Sequence, residues 1–286
     1  MIVPVLRLVD DLERLKLWVN EVLHKKLPFQ IILVQDGSDE EVRLVLRKLA
    51  DSAHNQQIIF TQAECQSPGL ARNQGLELAI GSWVAFWDSD DDVCIENVIP
   101  ILRLVDPSKS IVIAGYEKLY AELNVSRNGF QCNSLVDVAL ELGLWRMFFR
   151  RERIADMNFT ALRMGEDQLF FSDLNPNDSE IVYSPTVVYR YVKYGHGQLT
   201  SNSDTWRDLE KCIAKLGNRS LSTGQDNGVI RYLFLRQFLT GLKKLGWSFR
   251  WKCTKLVGRL VSNHGFGFLT FLTKSLVHLS WARIRS

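Results

Sequence analysis

Cysteine is sparse and scattered: five in 286 residues, at Cys65, Cys94, Cys132, Cys212 and Cys253, with no CxxC pair. This excludes a disulfide framework or a thiolate zinc site as the basis of the fold, and points to buried or idle thiols in a reducing compartment. No early apolar run survives Asp10, Asp11 and Glu13, so no signal peptide is expected and a cytoplasmic location follows. Internal repeats and low-complexity linkers are also missing. The most telling absence is of one charge sign at one end. From Asn227 to Ser286 there is no Asp or Glu, while 11 of the 35 Lys and Arg fall there and all 32 acidic residues precede it. An acidic body with a basic tail implies a tail that meets something anionic.

What is present is the composition of a globular protein, 46% hydrophobic and 23% charged. The first half alternates short apolar runs with amphipathic stretches, the pattern of an α/β domain with a largely parallel sheet. Ile2–Leu6, Gln30–Gln35, Gln57–Thr61 and Ser82–Trp87 read as strands. Leu12 to Leu23 has helical spacing. Ser38 with Glu41 reads as a capping box, and Ser67-Pro68 as the N-cap and first residue of a helix running to Ile80 and ended by Gly81. Further on, Ile111–Tyr116 and Tyr183–Tyr194 are extended and Leu135–Leu144 is helical. Beyond Asp204 the chain turns helical and rich in Lys and Arg, so a domain over 1–204 is expected, followed by a basic amphipathic helical region over 205–286.

The chemistry concentrates at strand ends. Ser82–Trp87 runs into Asp88-Ser89-Asp90-Asp91-Asp92, and Gln30–Gln35 ends at Asp36-Gly37-Ser38. In open α/β sheets ligands bind at the carboxyl ends of strands. Four aspartates within five residues repel one another unless a cation or many backbone donors sit among them. A divalent metal with oxygen ligands, completed by a diphosphate, is the economical partner; a solvated acidic turn is the bland one.

Taken in order and spacing, Q-D-G-S, S-P-G-L-A-R-N-Q-G and F-W-D-S-D-D-D resemble the V-D-D-G-S, G-x-x-x-A-R-N-x-G and F-x-D-S-D-D elements of family 2 glycosyltransferases, over roughly Met1 to Asn202. The resemblance implies a GT-A fold, that is, a nucleotide-diphospho-sugar transferase with a Rossmann-like mixed sheet flanked by helices, here with a C-terminal helical tail. It also implies an inverting transfer from a nucleotide-sugar donor, a UDP-sugar in the usual case, to a glycan or lipid-linked acceptor, as in polysaccharide biosynthesis. Asp36 is then expected on the nucleobase, with Arg72, Asn73, Asp88 and Asp90 on the donor. The D-x-D element, with Asp90 and Asp91 as metal residues, holds Mn2+ or Mg2+.

Gly165-Glu166-Asp167-Gln168 resembles the E-D motif, with Asp167 as general base and Glu166 beside it. Such a base takes the acceptor hydroxyl's proton as the oxygen attacks the anomeric carbon. Arg190 and His196 fall where a loop closing over the diphosphate is expected. Two positions depart from the pattern: Leu6-Arg7 replaces an aromatic and an asparagine, and Gln35 replaces the first aspartate of D-D-G-S.

Trp247–Val261 and Phe266–Leu279 mix bulky apolar residues with Arg and Lys and are too short or interrupted to span a bilayer. An interfacial helix pair on an anionic membrane surface fits that composition, at the inner face of the membrane, and nucleic acid is not an expected partner. Two other readings stay open. One is a sugar nucleotidyltransferase, although Met1–Gly37 offers no Gly-rich phosphate loop; the other is a catalytically degenerate scaffold that only binds.

Overall fold

The computed structural model of the chain describes residues 1–6, 12–53, 57–64, 67–193, 206–222 and 228–244, with scattered positions between 251 and 262. They form two compact units. One comprises Met1–Cys132, Gly143–Ala161 and Pro176–His196; the other comprises Asn133–Leu142, Leu162–Asn175 and the chain from residue 197.

The first unit opens with three β–α repeats. Strands β1 (Ile2–Val5), β2 (Ile31–Asp36) and β3 (Ile58–Ala63) pair in parallel in that order. Helices α1 (Leu12–His24), α2 (Glu40–Asp51) and α3 (Pro68–Leu78) follow them. β2 is buried at every residue, as a continuous apolar run between covering layers requires. The apolar stripe of α2 buries Val42, Leu46 and Leu49, and α1 buries Leu15, Trp18, Val19 and Val22.

The α3–β1 contact depends on a missing side chain. A Cβ on Gly75 would lie 2.3 Å from Ile2 Cγ2, so the glycine lets the helix press onto the strand.

A second, mixed sheet continues the first. It holds β4 (Trp83–Val84), β5 (Asp92–Val93), β6 (Ile111–Tyr120), β7 (Val125–Asn128), β8 (Met147–Arg150) and β9 (Ile181–Lys193), with helix α4 (Ile95–Arg103) after β5. The order is β4-β8-β6-β9-β5, with β7 on β6; only β6 and β9 run parallel. Ile2 joins the two sheets. Its N–H donates to Ala85 O (2.9 Å), its carbonyl accepts from Trp87 N–H (3.0 Å), and a parallel bridge pairs it with Phe86. One apolar core, including Trp18, Leu33, Trp87, Val112 and Phe148, lies beneath.

The second unit is helical: α5 (Leu135–Leu140), α6 (Glu166–Leu174), α7 (Trp206–Ser222) and α8 (Gly228–Lys244). Leu209, Cys212, Ile213 and Leu216 of α7 are buried, as are Leu233 and Phe234 of α8. Arg219 on α7 pairs with Asp173 (2.6 Å) and donates to Leu169 O (3.2 Å) on α6.

Several local expectations shift. The N-cap of α2 is Asp39, not Ser38: Asp39 Oδ1 accepts from Glu41 and Val42 N–H at 3.0 and 3.2 Å. A carboxylate one residue nearer the helix takes the Glu41 amide that Ser38 was expected to serve, and the Val42 amide with it. Ser67 caps α3 by position, without a side-chain bond, and the helix ends at Leu78. The Ser82–Trp87 strand is regular only at Trp83–Val84. α5 stops at Leu140, and Leu144–Arg146 forms a 3-10 turn. The first half is parallel as expected, but the later sheet is mostly antiparallel. The helices beyond residue 204 share their unit with α5 and α6. Among the described residues no helix is long and apolar enough to cross a membrane. Trp247–Val261 is described only at scattered positions, and Phe266–Leu279 lies outside the described residues.

Candidate active site

Parallel pairing brings the acidic strand ends to one edge. Ile2 pairs with Ile32 on one side and Phe86 on the other, so Asp36, four residues past Ile32, and Asp88, two past Phe86, leave the sheet at the same carboxyl end. The backbone turns sharply after Asp36 at Gly37, whose φ of 144° is a conformation that residues with a side chain rarely adopt. Asp36 is buried, and its Oδ2 accepts from the Ser67 N–H at 2.7 Å, which ties β2 to the start of α3.

Arg72 projects from the first turns of α3. Its guanidinium donates to Asp88 Oδ1 at 2.9 Å, with the arginine side chain 9% and the aspartate side chain 31% exposed. The same guanidinium sits over the Phe159 ring, 5.5 Å from its centroid. Asn73, the next residue, grips the backbone of Phe159 from both ends: Nδ2 donates to Phe159 O (3.0 Å) and Oδ1 accepts from Phe159 N–H (2.7 Å). Phe159 in turn packs edge-on against Phe86, with centroids 5.0 Å apart. The A-R-N triplet therefore forms one clamp: asparagine holds phenylalanine, phenylalanine supports arginine, and arginine orients Asp88.

The acidic run itself is held by β9. Tyr189, fully buried, accepts from the Asp88 N–H (3.1 Å) and donates to Asp91 Oδ2 (2.7 Å). Asp91 Oδ1 accepts from the Val192 N–H at 2.6 Å. Burial pushes the Asp91 carboxyl well above the usual carboxylate range, and the charges of Asp90 and Asp88 push it further. The Tyr189 hydroxyl is raised too, first by burial and then by Asp91 and Asp88. Asp92 pairs with Arg190 through the β5–β9 ladder, and its side chain meets Arg14 of α1 at 2.6 Å. Trp145 stacks on both Tyr189 and Tyr191, with centroids 4.7 and 5.7 Å away.

Of the remaining expected site residues, Arg190 forms an ion pair with Glu117 at 3.1 Å. Glu166 and Asp167 form the first turn of α6 in the second unit. Glu166 is buried; Asp167 is half-buried, and its Oδ1 accepts from the Gln168 N–H at 2.8 Å. Gly165 precedes them in a left-handed conformation, φ 86°. His196 lies outside the described residues. Among the described residues no three His, Cys, Asp or Glu side chains gather into a ready metal cage.

Sequence reasoning missed Phe159, Tyr189 and Trp145. They act across 29 to 101 residues of chain, through contacts that no local motif signals. Only Tyr189 left a trace, in Tyr189-Arg190-Tyr191, which resembles the Y-R-x element of the family.

Comparison with known proteins agrees with this architecture. The model of "Glycosyl transferase family 2" matches residues 2–158. Over 182 residues the chain is 25% identical to an uncharacterised glycosyltransferase of Haemophilus influenzae, covering 60% of this chain and 70% of that one. It is 20% identical over 183 residues to the glycosyltransferase GlyA of Streptococcus pneumoniae, covering 57% of this chain. A third relative is the poly(ribitol-phosphate) beta-glucosyltransferase of Bacillus spizizenii, 24% identical over 209 residues and 69% of this chain. The matches span only 26% of GlyA and 32% of the glucosyltransferase.

Among solved structures, S. aureus TarS 1–349 superposes with a TM-score of 0.65 at 18% identity, over 92% of this chain and 79% of that one. The mannosyltransferase PcManGT from Pyrobaculum calidifontis, in complex with GDP-Man and Mn2+, gives 0.55 at 14% identity, over 98% and 86%. The family match over more than half the chain, together with the shared architecture, makes this protein a member of glycosyl transferase family 2 with the GT-A fold.

Proposed function

We propose that the protein moves a sugar from a UDP-sugar to a hydroxyl of a glycan or lipid-linked acceptor, with inversion at the anomeric carbon. The observation that carries this reading is the placement of Asp36 and Asp88-Ser89-Asp90 at the same carboxyl end, on either side of Ile2 where the two sheets join, with Arg72 clamped onto Asp88. A nucleoside diphosphate needs a hydrogen-bond acceptor for its base, acceptors for its ribose, and positive charge for its phosphates. Asp36 serves the first need and Asp88 the second. TarS 1–349 has been crystallised in complex with UDP-GlcNAc, which supports a nucleotide-sugar donor for this fold.

The acidic run suits a divalent cation. Burial first, and then the charges of Asp90 and Asp88, raise the Asp91 carboxyl, and a cation at Asp90 would relieve the charge repulsion. Mg2+ or Mn2+ is commonly held by one or two carboxylates, with substrate phosphates completing the shell, so a ready three-residue cage is not required. Asp90, with Asp88 beside it, would hold the ion. When bound, the ion neutralises charge developing on the departing diphosphate.

The chain's own residues do the rest. Arg72 fixes the Asp88 carboxylate, and Asn73 acts one step back, through Phe159. Asp167 accepts the proton of the acceptor hydroxyl as that oxygen attacks. Its place in the first turn of a helix holds the side chain firmly, and Glu166 supports it. Arg190, with His196, lies on the stretch expected to close over the diphosphate. The basic C-terminal stretch would keep the enzyme on an anionic membrane surface, near a lipid-linked acceptor.

The test is UDP release from a panel of UDP-sugars with Mn2+, by the wild type and by Asp90→Asn and Asp167→Asn. Metal-dependent release lost in Asp90→Asn, and transfer lost in Asp167→Asn with donor binding kept, is the expected result. A wild type that neither binds nor turns over any nucleotide sugar would leave the degenerate-scaffold reading in its place.

A further inference from the structure

Asp91 sits in the middle of the acidic run, yet its carboxylate is directed inward. It is 2% exposed, and a protein donor reaches each oxygen, Tyr189 Oη at 2.7 Å and Val192 N–H at 2.6 Å. Turning it outward to a cation would leave both donors buried without that partner, a strongly unfavourable exchange. The Tyr189 hydroxyl does a second job in the same place by accepting from the Asp88 N–H. One oxygen atom thus spans positions 88 and 91 of the loop. The next residue, Asp92, is fixed by the β5–β9 ladder and by Arg14. Ser89 and Asp90 are carried between these fixed points.

We infer that Tyr189 and Asp91 are positioning residues that set the conformation of Asp88-Ser89-Asp90, and that Asp91 does not itself ligate metal or donor. The inference rests on the proposed donor site and refines it. It replaces the expectation that Asp91 shares the metal with Asp90. The tyrosine ring is well placed for the task, because Trp145 stacks on it at 4.7 Å with only 20° between planes, and Tyr116 meets Trp145 edge-on at 4.7 Å. Packing immobilises the ring, so the position of the hydroxyl is fixed before any ligand arrives.

The experiment compares Tyr189→Phe, Asp91→Asn, Asp90→Asn and the control Tyr183→Phe, whose hydroxyl donates to Asp178 Oδ1 at the start of β9. Tyr189→Phe keeps the stacked ring and removes the atom that spans the loop. Three readouts are needed: the Mn2+ constant for UDP binding by calorimetry, kcat against KM for UDP release, and hydrogen exchange of the peptide holding the Asp88 amide.

The expected result is a roughly tenfold weaker Mn2+ constant in Tyr189→Phe, the size of one lost hydrogen bond to a charged group. A similar change in Asp91→Asn is expected, with a Tyr189→Phe/Asp91→Asn pair no worse than the weaker single variant, since both act through one path. Asp88 exchange should speed up in both, while Tyr183→Phe matches the wild type. Asp91→Asn losing Mn2+-dependent binding as fully as Asp90→Asn, with Tyr189→Phe unaffected, would make Asp91 a ligand and overturn the inference. So would unchanged Asp88 exchange in Tyr189→Phe, or exchange raised evenly across the whole unit. If the wild type binds no nucleotide, the functional reading fails, and the exchange data alone decide whether the loop is held as described.

Discussion

Arg72 and Gly75 lie one helical turn apart on α3 and show two different demands on a single element. Arg72 needs a planar cation: it donates to Asp88 and lies over Phe159. Lysine carries the charge but cannot stack as a plane or fork. Arg72→Lys is therefore expected to raise KM for the donor about tenfold, a loss of about 1.4 kcal/mol or slightly more, with little change in Tm. Steady-state kinetics beside a thermal melt would check this, and an equal fall in Tm would assign Arg72 to folding instead. Gly75 needs the opposite, no side chain at all. With a Cβ 2.3 Å from Ile2 Cγ2, Gly75→Ala should cost about 1–3 kcal/mol of stability by overpacking, outweighing any gain in helix propensity. Chemical denaturation with an unchanged m-value would show it.

At this scale the A-R-N-Q-G motif was legible as a motif, but only part of its meaning was. The spacing of Arg72 and Gly75 identifies the family pattern. That Asn73 grips a backbone 86 residues away, and that Gly75 is a packing glycine, follow only from long-range geometry.

Among the elements, β9 does the most positioning. It supplies Tyr189 and Val192 to the acidic loop and pairs with both β5 and β6. Its entry is fixed by Glu180, which accepts from Ser110 Oγ (2.6 Å), Arg153 Nε (2.9 Å) and the Asn177 N–H (3.0 Å). Burial alone would raise the Glu180 carboxyl, but the Arg153 and Ser110 hydrogen bonds outweigh it, and the net shift is downward. A depressed carboxylate adds stability above its unfolded pKa, and that stability disappears as pH falls through its folded value. Glu180→Gln should thus cost about 1–3 kcal/mol at neutral pH, because a charged acceptor is lost. The gap to the wild type should begin to close near the ordinary glutamate value of about 4.3 and shrink further as pH falls below it. Melts from pH 3 to 8 would test the convergence; parallel curves would mean that packing, not charge, is responsible.

The elements also show where sequence patterning stops. β2, an unbroken apolar run, was legible because both of its faces are covered. β4 was not: only two of the six residues from Ser82 to Trp87 pair regularly, because the segment changes partner from β8 to Ile2 of β1. Hydrophobicity marks that stretch as buried but does not report which strand it pairs with. Likewise the chain beyond Asp204 reads as helical, whereas the packing of α7 with α6, the helix bearing Asp167, is a tertiary choice.

For the whole molecule the strongest sequence signal is charge asymmetry, with all 32 acidic residues placed before a stretch that carries 11 of the 35 basic ones. Solubility alone does not call for such segregation. On the proposed mechanism, a body that handles an anionic donor through carboxylates and a cation would gain nothing from a basic stretch unless that stretch meets a separate anionic surface. Attraction to anionic lipid is worth about 1 kcal/mol per Lys or Arg near the surface and fades beyond a Debye length of about 8 Å at physiological ionic strength.

The full chain is therefore expected to co-sediment with vesicles containing phosphatidylserine or phosphatidylglycerol at low salt and to be released in steps as salt rises. Neutral phosphatidylcholine vesicles should hold far less. Substituting glutamine for Arg250, Lys252, Lys255 and Arg259 together should weaken the anionic binding on the order of a hundredfold or more, if even three of the four reach the surface. UDP release in solution should not change, since the proposed donor site draws on none of these residues. Vesicle binding that ignores both salt and these four residues would show that apolar insertion, not charge, governs attachment. No binding at all would remove the membrane reading of the basic stretch.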